Sequence, residues 1–141
     1  MAERTFVDTN VWVYAVDEAD PTKHSRALDL LAPSPDSDFV VSTQVLIEFY
    51  VVVTRKLSTP LSDDAAHEMV EEMARLPVVP ADAQLVLSAM AGSHEWRISL
   101  WDALIVRAAE VSGCGLVLSE DLTHGAAYGS VRVENPFRAS A

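Results

Sequence analysis

Two apolar runs separated by three polar residues limit the folds open to this chain. Phe6-Val7 is apolar on both sides, which is typical of a central strand in a parallel sheet. Asp8-Thr9-Asn10 follows at once, and the apolar run Val11–Val16 predicts a short helix directly afterwards. Asp, Thr and Asn all cap helices well, so Asp8 could serve as a helix cap. Its position also predicts a carboxylate at the end of a buried strand.

Four further apolar segments alternate with predicted helices and indicate the fold class. They are residues 39–41, 77–80, 116–118 and 131–133, and the prolines that bound residues 77–80 suit an edge strand. This alternation predicts an α/β fold with a central, mostly parallel sheet of about five strands and helices on both faces. The length suits a single domain over residues 1–141. Ligands of such sheets bind beyond the carboxyl ends of the strands.

The composition excludes several classes of protein. The formal net charge of −11 argues against a broad basic surface for nucleic acid, although it suits a basic partner. No apolar run approaches the roughly 20 residues that cross a bilayer, so no membrane association is expected. The first residues carry no signal-peptide pattern, and Cys114 is the only cysteine. We therefore expect a cytoplasmic location.

Glu48 is the most informative of the acidic residues. It lies within the apolar segment Val45–Val53, and glutamate is almost never fully buried without a partner. An acid inside a covered helix needs a cation, a proton or a metal. The alternative is a narrow solvent-facing stripe that also contains Gln44 and Arg55, at helical spacings of four and seven residues.

Asp102 and Asp121 each have an alternative structural explanation. Asp102 could be an ordinary acid in the first turn of a helix capped by Ser99. However, the apolar residues four and seven positions later lie on its face and predict a buried, paired carboxylate. Asp121 directly follows a predicted strand, where a turn residue is also common. We expect the adjacent Glu120 to point in another direction, toward solvent.

Together these positions favour a metal site. Carboxylates gathered in one cleft repel one another, and a divalent cation neutralises them. Ligands that are all oxygen select Mg²⁺ or Mn²⁺ over zinc or copper. The single cysteine and the four scattered histidines form no zinc-binding pattern.

At these positions the sequence resembles the PIN domain, and in particular the toxins of VapBC toxin–antitoxin pairs. The order and spacing of four short motifs carry the resemblance, which covers nearly the whole chain. The motifs are Asp8-Thr9-Asn10, Glu48 in the helix after the second strand, Trp101-Asp102-Ala103-Leu104-Ile105, and Leu118-Ser119-Glu120-Asp121.

The resemblance implies an acidic quartet of Asp8, Glu48, Asp102 and Asp121, supported by Asn10 and Ser119. It further implies a PIN-like α/β/α sandwich and an Mg²⁺-dependent endoribonuclease that hydrolyses RNA phosphodiester bonds. Asp8 and Asp102 would hold the ion, while Glu48 and Asp121 would complete a second ion site or orient the water. One or two ions would bind.

The partners that the resemblance implies are an RNA substrate, a VapB-type protein antitoxin and a second copy of the chain. Some relatives carry a further acid shortly after the fourth, but residues 122–124 are Leu, Thr and His here. Arg55-Lys56 and Arg107 are candidate RNA contacts. Leu57, Trp96 or Trp101 could lie in a dimer interface, although core packing explains the tryptophans equally well.

The sequence is also compatible with other functions. Among PIN proteins, the alternatives are a housekeeping RNA-processing nuclease and a catalytically silent binding scaffold. An aspartyl-phosphate phosphatase also places an Asp after its first strand, but it needs a second Asp where Asn10 stands. A receiver-like signalling domain needs a late lysine, and no lysine follows Lys56.

Overall fold

A computed structural model describes residues 3–138 of the protein. Strands and helices alternate through most of this range, as the sequence predicts. The elements in chain order are β1 (Thr5–Val7), α1 (Thr9–Tyr14), α2 (Pro21–Leu31), β2 (Phe39–Ser42), α3 (Thr43–Arg55), α4 (Asp63–Met73), β3 (Val78–Val79), α5 (Ala83–Trp96), α6 (Leu100–Val111), β4 (Leu116–Leu118), β5 (Ala127–Tyr128) and β6 (Val131–Glu134).

The strands form one sheet in the order β3-β2-β1-β4-β6-β5. All neighbouring pairs are parallel except β5 and β6, which are antiparallel. The predicted mostly parallel α/β fold is therefore confirmed, with β3 at an edge as its flanking prolines indicate. The sixth strand, β5, was not predicted. It has only two residues, and a tight turn at Gly129, which has a φ of 59°, pairs it with β6.

Side chains of the central strands alternate between two hydrophobic clusters, one on each face of the sheet. Phe6 and Val117 belong to the larger cluster, together with buried residues of α3 and α6. Val7 and Leu118 belong to the smaller cluster, together with Val11 of α1. Because successive residues of a strand point to opposite faces, helices must cover both sides of the sheet. This arrangement is the predicted sandwich.

Within residues 3–138, no helix combines the length and the apolar character that crossing a membrane requires.

Candidate functional site

Asp8 and Ser119 meet where the two central strands end. Val7 of β1 pairs with Leu118 of β4, and the Asp8 amide extends this ladder by donating to the Leu118 carbonyl at 3.0 Å. The Ser119 hydroxyl then donates to Asp8 Oδ2 at 2.7 Å. The other carboxylate oxygen of Asp8 accepts the Thr9 amide at 2.7 Å, so Asp8 also caps α1. The capping role and the site role of Asp8 are therefore compatible.

Burial perturbs the charge state of Asp8. The residue is 5% exposed, and desolvation raises the pKa of its carboxyl from 3.8 to about 6. The bonds from Ser119 and Thr9 lower this pKa, whereas the charges of Asp121 and Glu48 raise it. Near neutral pH the carboxylate is thus ionised in a place that disfavours negative charge, which is a setting that attracts a cation.

This perturbed pKa predicts that Asp8→Asn stabilises the metal-free protein at pH 7.5. The folded-state pKa lies above the unfolded value, so ionised Asp8 opposes folding above about pH 6, and the effect disappears as the pH falls below 3.8. The shift corresponds to about 3 kcal/mol. We expect the melting temperature of the variant to exceed that of the wild type by an amount on the order of 10 °C in EDTA at pH 7.5.

The pH profile makes this prediction specific. The difference in melting temperature should shrink as the pH is lowered from 7.5 through 6 toward 4, because the wild-type carboxyl then becomes neutral. Asp36→Asn is the matched control, since Asp36 is exposed in the loop before β2. A gain for Asp8→Asn that is equally large at all pH values would contradict the assigned ionisation.

Asn10 ties the segment after β4 to α1. Its side-chain amide donates to the Asp121 carboxylate at 3.3 Å and to the Ser119 hydroxyl at 3.5 Å. Its side-chain oxygen accepts the Glu120 amide at 3.1 Å. The Ser119 hydroxyl accepts the Asp121 amide as well, at 3.1 Å. Asn10 and Ser119 therefore contact Asp121 and Asp8, two of the acids that the resemblance implies they support.

The prediction that Glu120 faces solvent is wrong. Its side chain is 24% exposed, accepts the Tyr14 hydroxyl at 2.7 Å and pairs with the Lys23 ammonium at 2.6 Å. The prediction that Glu120 and Asp121 point in different directions does hold. Helix spacing alone could not locate these partners, because they lie about one hundred residues earlier in the chain.

Glu48 reaches the site from α3 and is half-buried. Its carboxylate accepts the Thr9 hydroxyl at 3.3 Å and the Gln44 amide at 2.7 Å. Gln44 also donates to the Trp101 carbonyl at 3.3 Å, which links α3 to the start of α6. Gln44 therefore holds the Glu48 carboxylate and connects two helices, and is not only part of a solvent-facing stripe. The contact between Gln44 and Glu48 could have been predicted from the sequence, because side chains four residues apart on a helix meet.

Asp102 lies in the first turn of α6, where Ser99 is the helix cap. The Ser99 hydroxyl accepts the Asp102 amide at 3.0 Å, so the capping explanation is correct for this turn. Val106 and Ala109, on the same face, are fully buried as predicted, but Asp102 itself is only half-buried, so the prediction of a buried carboxylate is wrong. Burial raises the pKa of the Asp102 carboxyl, a hydrogen bond with Ser99 lowers it, and the charge of Asp121 raises it.

The four acids share one edge of the sheet. Asp121 is close enough to raise the pKa of both Asp8 and Asp102, and Glu48 is close enough to raise that of Asp8. Within residues 3–138, however, no group of three or more His, Cys, Asp or Glu side chains is arranged so that it could hold a metal ion. Hydrogen bonds to neutral side chains hold three of these acids instead, so a bound cation would have to draw them together.

The donor set fits a hard divalent cation. The available ligands are carboxylate oxygens, one of them buried and destabilised by neighbouring negative charge. Binding of Mg²⁺ would remove both the desolvation penalty and the mutual repulsion. Asp8, Asp102, Glu48 and Asp121 are thus the residues that could hold such an ion.

The other candidate residues differ in their surroundings. Arg107 is engaged within the molecule, since it lies over the Trp96 ring at 4.4 Å and pairs with Glu110 at 2.8 Å. Leu57 and Trp96 both pack against the core. Trp101, in contrast, is 65% exposed. It borders a cavity of about 610 Å³ that Glu48 also lines.

A second cavity, of about 600 Å³, contains none of the predicted site residues. Its lining is mostly apolar and includes Trp12, Leu28, Phe39 and Met73. Cavity size alone therefore does not locate the acidic site, which the strand ends and hydrogen bonds identify instead.

Comparisons with known proteins agree with this architecture. The family model described as PIN domain matches residues 5–128. A search of curated proteins finds no match. Among solved structures, VapC20 of Mycobacterium tuberculosis, described as a sarcin-ricin loop cleaving toxin, superposes with a TM-score of 0.64 at 23% identity, over 83% of this chain and 91% of that chain.

One chain from each of two other solved structures is similar to this chain over most of its length. DNA-bound VapBC from Salmonella typhimurium has a TM-score of 0.65 at 19% identity, over 96% of this chain and 99% of that chain. FitAcB from Neisseria gonorrhoeae has a TM-score of 0.65 at 21% identity, over the same shares of the two chains. At these identities the superpositions establish a common fold.

Proposed function

The chain belongs to the PIN domain family, and on that premise we propose that it is a metal-dependent endoribonuclease and the toxin of a VapBC-type pair. The observation that carries this proposal is the buried carboxylate of Asp8 at the end of β1, beside Asp121 and Glu48, whose charges add to desolvation in raising its pKa. PIN nucleases of the VapC kind are toxins in the similar structures, one of which is described as cleaving the sarcin-ricin loop. A cytoplasmic location suits an RNA substrate.

We assign a different role in hydrolysis to each of the four acids and to the residues that support them. Asp8 and Asp102 would hold the ion, and Glu48 and Asp121 would complete its surroundings or orient the attacking water. When bound, Mg²⁺ or Mn²⁺ supplies a Lewis acid that polarises the phosphate and lowers the pKa of water. Ser119 and Thr9 fix the two oxygens of Asp8 in place. The Asp8 carboxylate, held in this way, would lose little freedom when it takes up a metal.

An RNA cleavage assay tests this function. The purified protein is incubated with structured RNA in Mg²⁺, in Mn²⁺ and in excess EDTA, and the RNA ends are sequenced. The proposal predicts defined internal cuts that require the added metal. Cleavage that persists unchanged in EDTA, or no cleavage of any RNA with either metal, would contradict it.

A protein antitoxin is the partner that we propose for this chain. The similar complexes from Salmonella typhimurium and Klebsiella pneumoniae are described as VapBC and as a toxin–antitoxin complex. The net charge of −11 suits a partner with basic side chains that enter among the acids. A small open reading frame beside the gene, whose product co-purifies with this chain and blocks RNA cleavage, would support the assignment.

We further propose that the protein forms a homodimer through an apolar face of α3, α5 and α6. Ile47 and Trp101 are each 65% exposed and line one cavity with Val86 of α5, and Leu87 and Met90 of α5 are each more than half exposed. Ile47 and Trp101 border the cavity that Glu48 lines, so the face adjoins the acidic site. Isolated exposed apolar residues are ordinary, but this concentration of large ones is typical of an interface.

This interface predicts the effect of a charge placed within it. Ile47→Asp and Leu87→Asp should each convert the dimer to a monomer, because an unpaired charge in an apolar interface is desolvated without compensation. Light scattering coupled to size-exclusion chromatography measures the mass. Val111→Asp is the matched control, since Val111 is 63% exposed at the far end of α6. Dimers that survive in both interface variants would exclude this face.

A further inference from the structure

Glu120 makes the tightest side-chain contacts near the acidic site, although it is not one of the four acids. Its Oε2 lies 2.6 Å from the Lys23 ammonium, and its Oε1 accepts the Tyr14 hydroxyl at 2.7 Å. Lys23 also donates to the Tyr14 oxygen at 3.3 Å, so the three side chains form a closed group. We call these residues, Tyr14, Lys23 and Glu120, the Glu120 clamp.

Hydrogen bonds link the helices that carry the Glu120 clamp to each other and to the segment after β4. Tyr14 lies four residues after Asn10 on α1, so both contact the segment that follows β4. The start of α2 is fixed as well, because Asp20 accepts the Lys23 amide at 3.1 Å. The ring of His24 bonds the Tyr14 carbonyl at 2.8 Å and thereby links the end of α1 to α2.

Glu120 lies between Ser119 and Asp121, so the direction of its side chain affects the charge of the acidic site. Ser119 bonds Asp8, and Asp121 accepts the Asn10 amide. A free carboxylate between them would add a fifth negative charge to a site that already raises the pKa of Asp8. Lys23 supplies the neutralising charge, and the hydrogen bond from its ammonium to Glu120 raises the pKa of Lys23. The side chains of the ion pair are 32% and 24% exposed, so solvent screens it only in part.

We propose that Lys23 and Tyr14 are positioning residues that hold Glu120 away from the acidic centre, so that Asp121 stays aligned with Asp8 and Asp102. This inference rests on the proposed metal-dependent function and names residues of that site which the four motifs do not contain. Lys23 acts through Glu120 and the loop, and it touches neither the metal nor the substrate. Outer contacts of this kind orient metal ligands and tune their affinity.

Calorimetric titration of metal-free protein with Mg²⁺, in the absence of RNA, tests the clamp. Lys23→Met should weaken Mg²⁺ binding by about tenfold or more. Lys23→Arg should restore most of the affinity, because it keeps the charge. Tyr14→Phe should weaken binding in the same direction but less. Arg75→Met is the matched control. It also removes one positive charge, but from an exposed ion pair between Arg75 and Glu72 of α4.

A double variant separates positioning from a general loss of charge. In a Glu120→Gln background no carboxylate needs to be restrained, so adding Lys23→Met should lower the Mg²⁺ affinity much less than it does in the wild type. In RNA cleavage, Lys23→Met should lower kcat at a fixed Mg²⁺ concentration and leave KM for RNA unchanged. Melting curves verify that each variant is folded.

Three results would overturn the inference. Lys23→Met could bind Mg²⁺ as tightly as the wild type, it could raise KM alone, or it could have an equal effect in the Glu120→Gln background. A rise in KM alone would identify Lys23 as a direct contact to RNA phosphate. Failure of the wild type itself to bind Mg²⁺ would instead refute the proposed function, and the inference would fall with it.

Discussion

Asp8→Asn and Asp102→Asn should each lower Mg²⁺-dependent RNA cleavage by more than about 100-fold, because even outer contacts of metal sites contribute about 10- to 100-fold. Asparagine keeps the size of the side chain and one oxygen acceptor. It removes the charge that attracts the cation and that the metal site requires. Single-turnover rates on the preferred RNA, at saturating protein, measure the effect on the chemical step.

The stability of the variants distinguishes lost chemistry from lost structure. Asp8→Asn should melt at a higher temperature than the wild type in EDTA at pH 7.5, since its buried position disfavours charge. A variant that is more stable and yet inactive cannot have failed to fold. Asp36→Asn should retain full activity. Undiminished cleavage by Asp8→Asn would remove Asp8 from the site.

Phe6→Ala should destabilise the protein by about 3–5 kcal/mol, which is a large part of the roughly 5–15 kcal/mol that keeps a domain folded. Phe6 is fully buried on β1, the strand that pairs with both β2 and β4. Removing its ring leaves a cavity beneath the strand that ends at Asp8. Urea denaturation followed by circular dichroism measures the free energy of unfolding.

Two control variants test whether the loss of stability comes from the cavity on the central strand. Phe6→Leu retains most of the apolar volume and should have a smaller effect than Phe6→Ala. Val111→Ala removes apolar atoms from a side chain that is 63% exposed and should change the stability by less than about 0.5 kcal/mol. A Phe6→Ala variant as stable as the wild type would mean that β1 does not form the core described above.

The sequence was sufficient to predict that Asp8 and Asp121 lie at the same edge of the sheet. Asp8 and Asp121 each follow a buried strand, and parallel strands place their carboxyl ends together. The capping explanations were also correct, because Asp8 is the N-cap of α1 and Asp102 lies in the first turn of α6, which Ser99 caps. A residue such as Asp8 can cap a helix and still be a candidate site residue, so the two explanations did not compete.

The contacts that the sequence did not predict depend on tertiary packing. The direction of Glu120 is decided by Tyr14 and Lys23, and no local pattern connects residues so far apart along the chain. Gln44 has two partners, and only the one on its own helix could have been inferred from spacing. Strand β5 has two residues, which is too short for the alternation of side chains to be recognised, and it lacks the bounding prolines that mark the equally short β3.

Convergence of the four carboxylates on one hard ion is most directly tested by a crystal structure of the protein grown with Mn²⁺, using anomalous scattering to locate the metal. The account predicts an anomalous peak bounded by the carboxylates of Asp8, Asp102 and Asp121, with Glu48 in its surroundings. The peak should be absent from crystals of Asp8→Asn. A peak elsewhere on the protein, or no peak at millimolar Mn²⁺, would contradict the account.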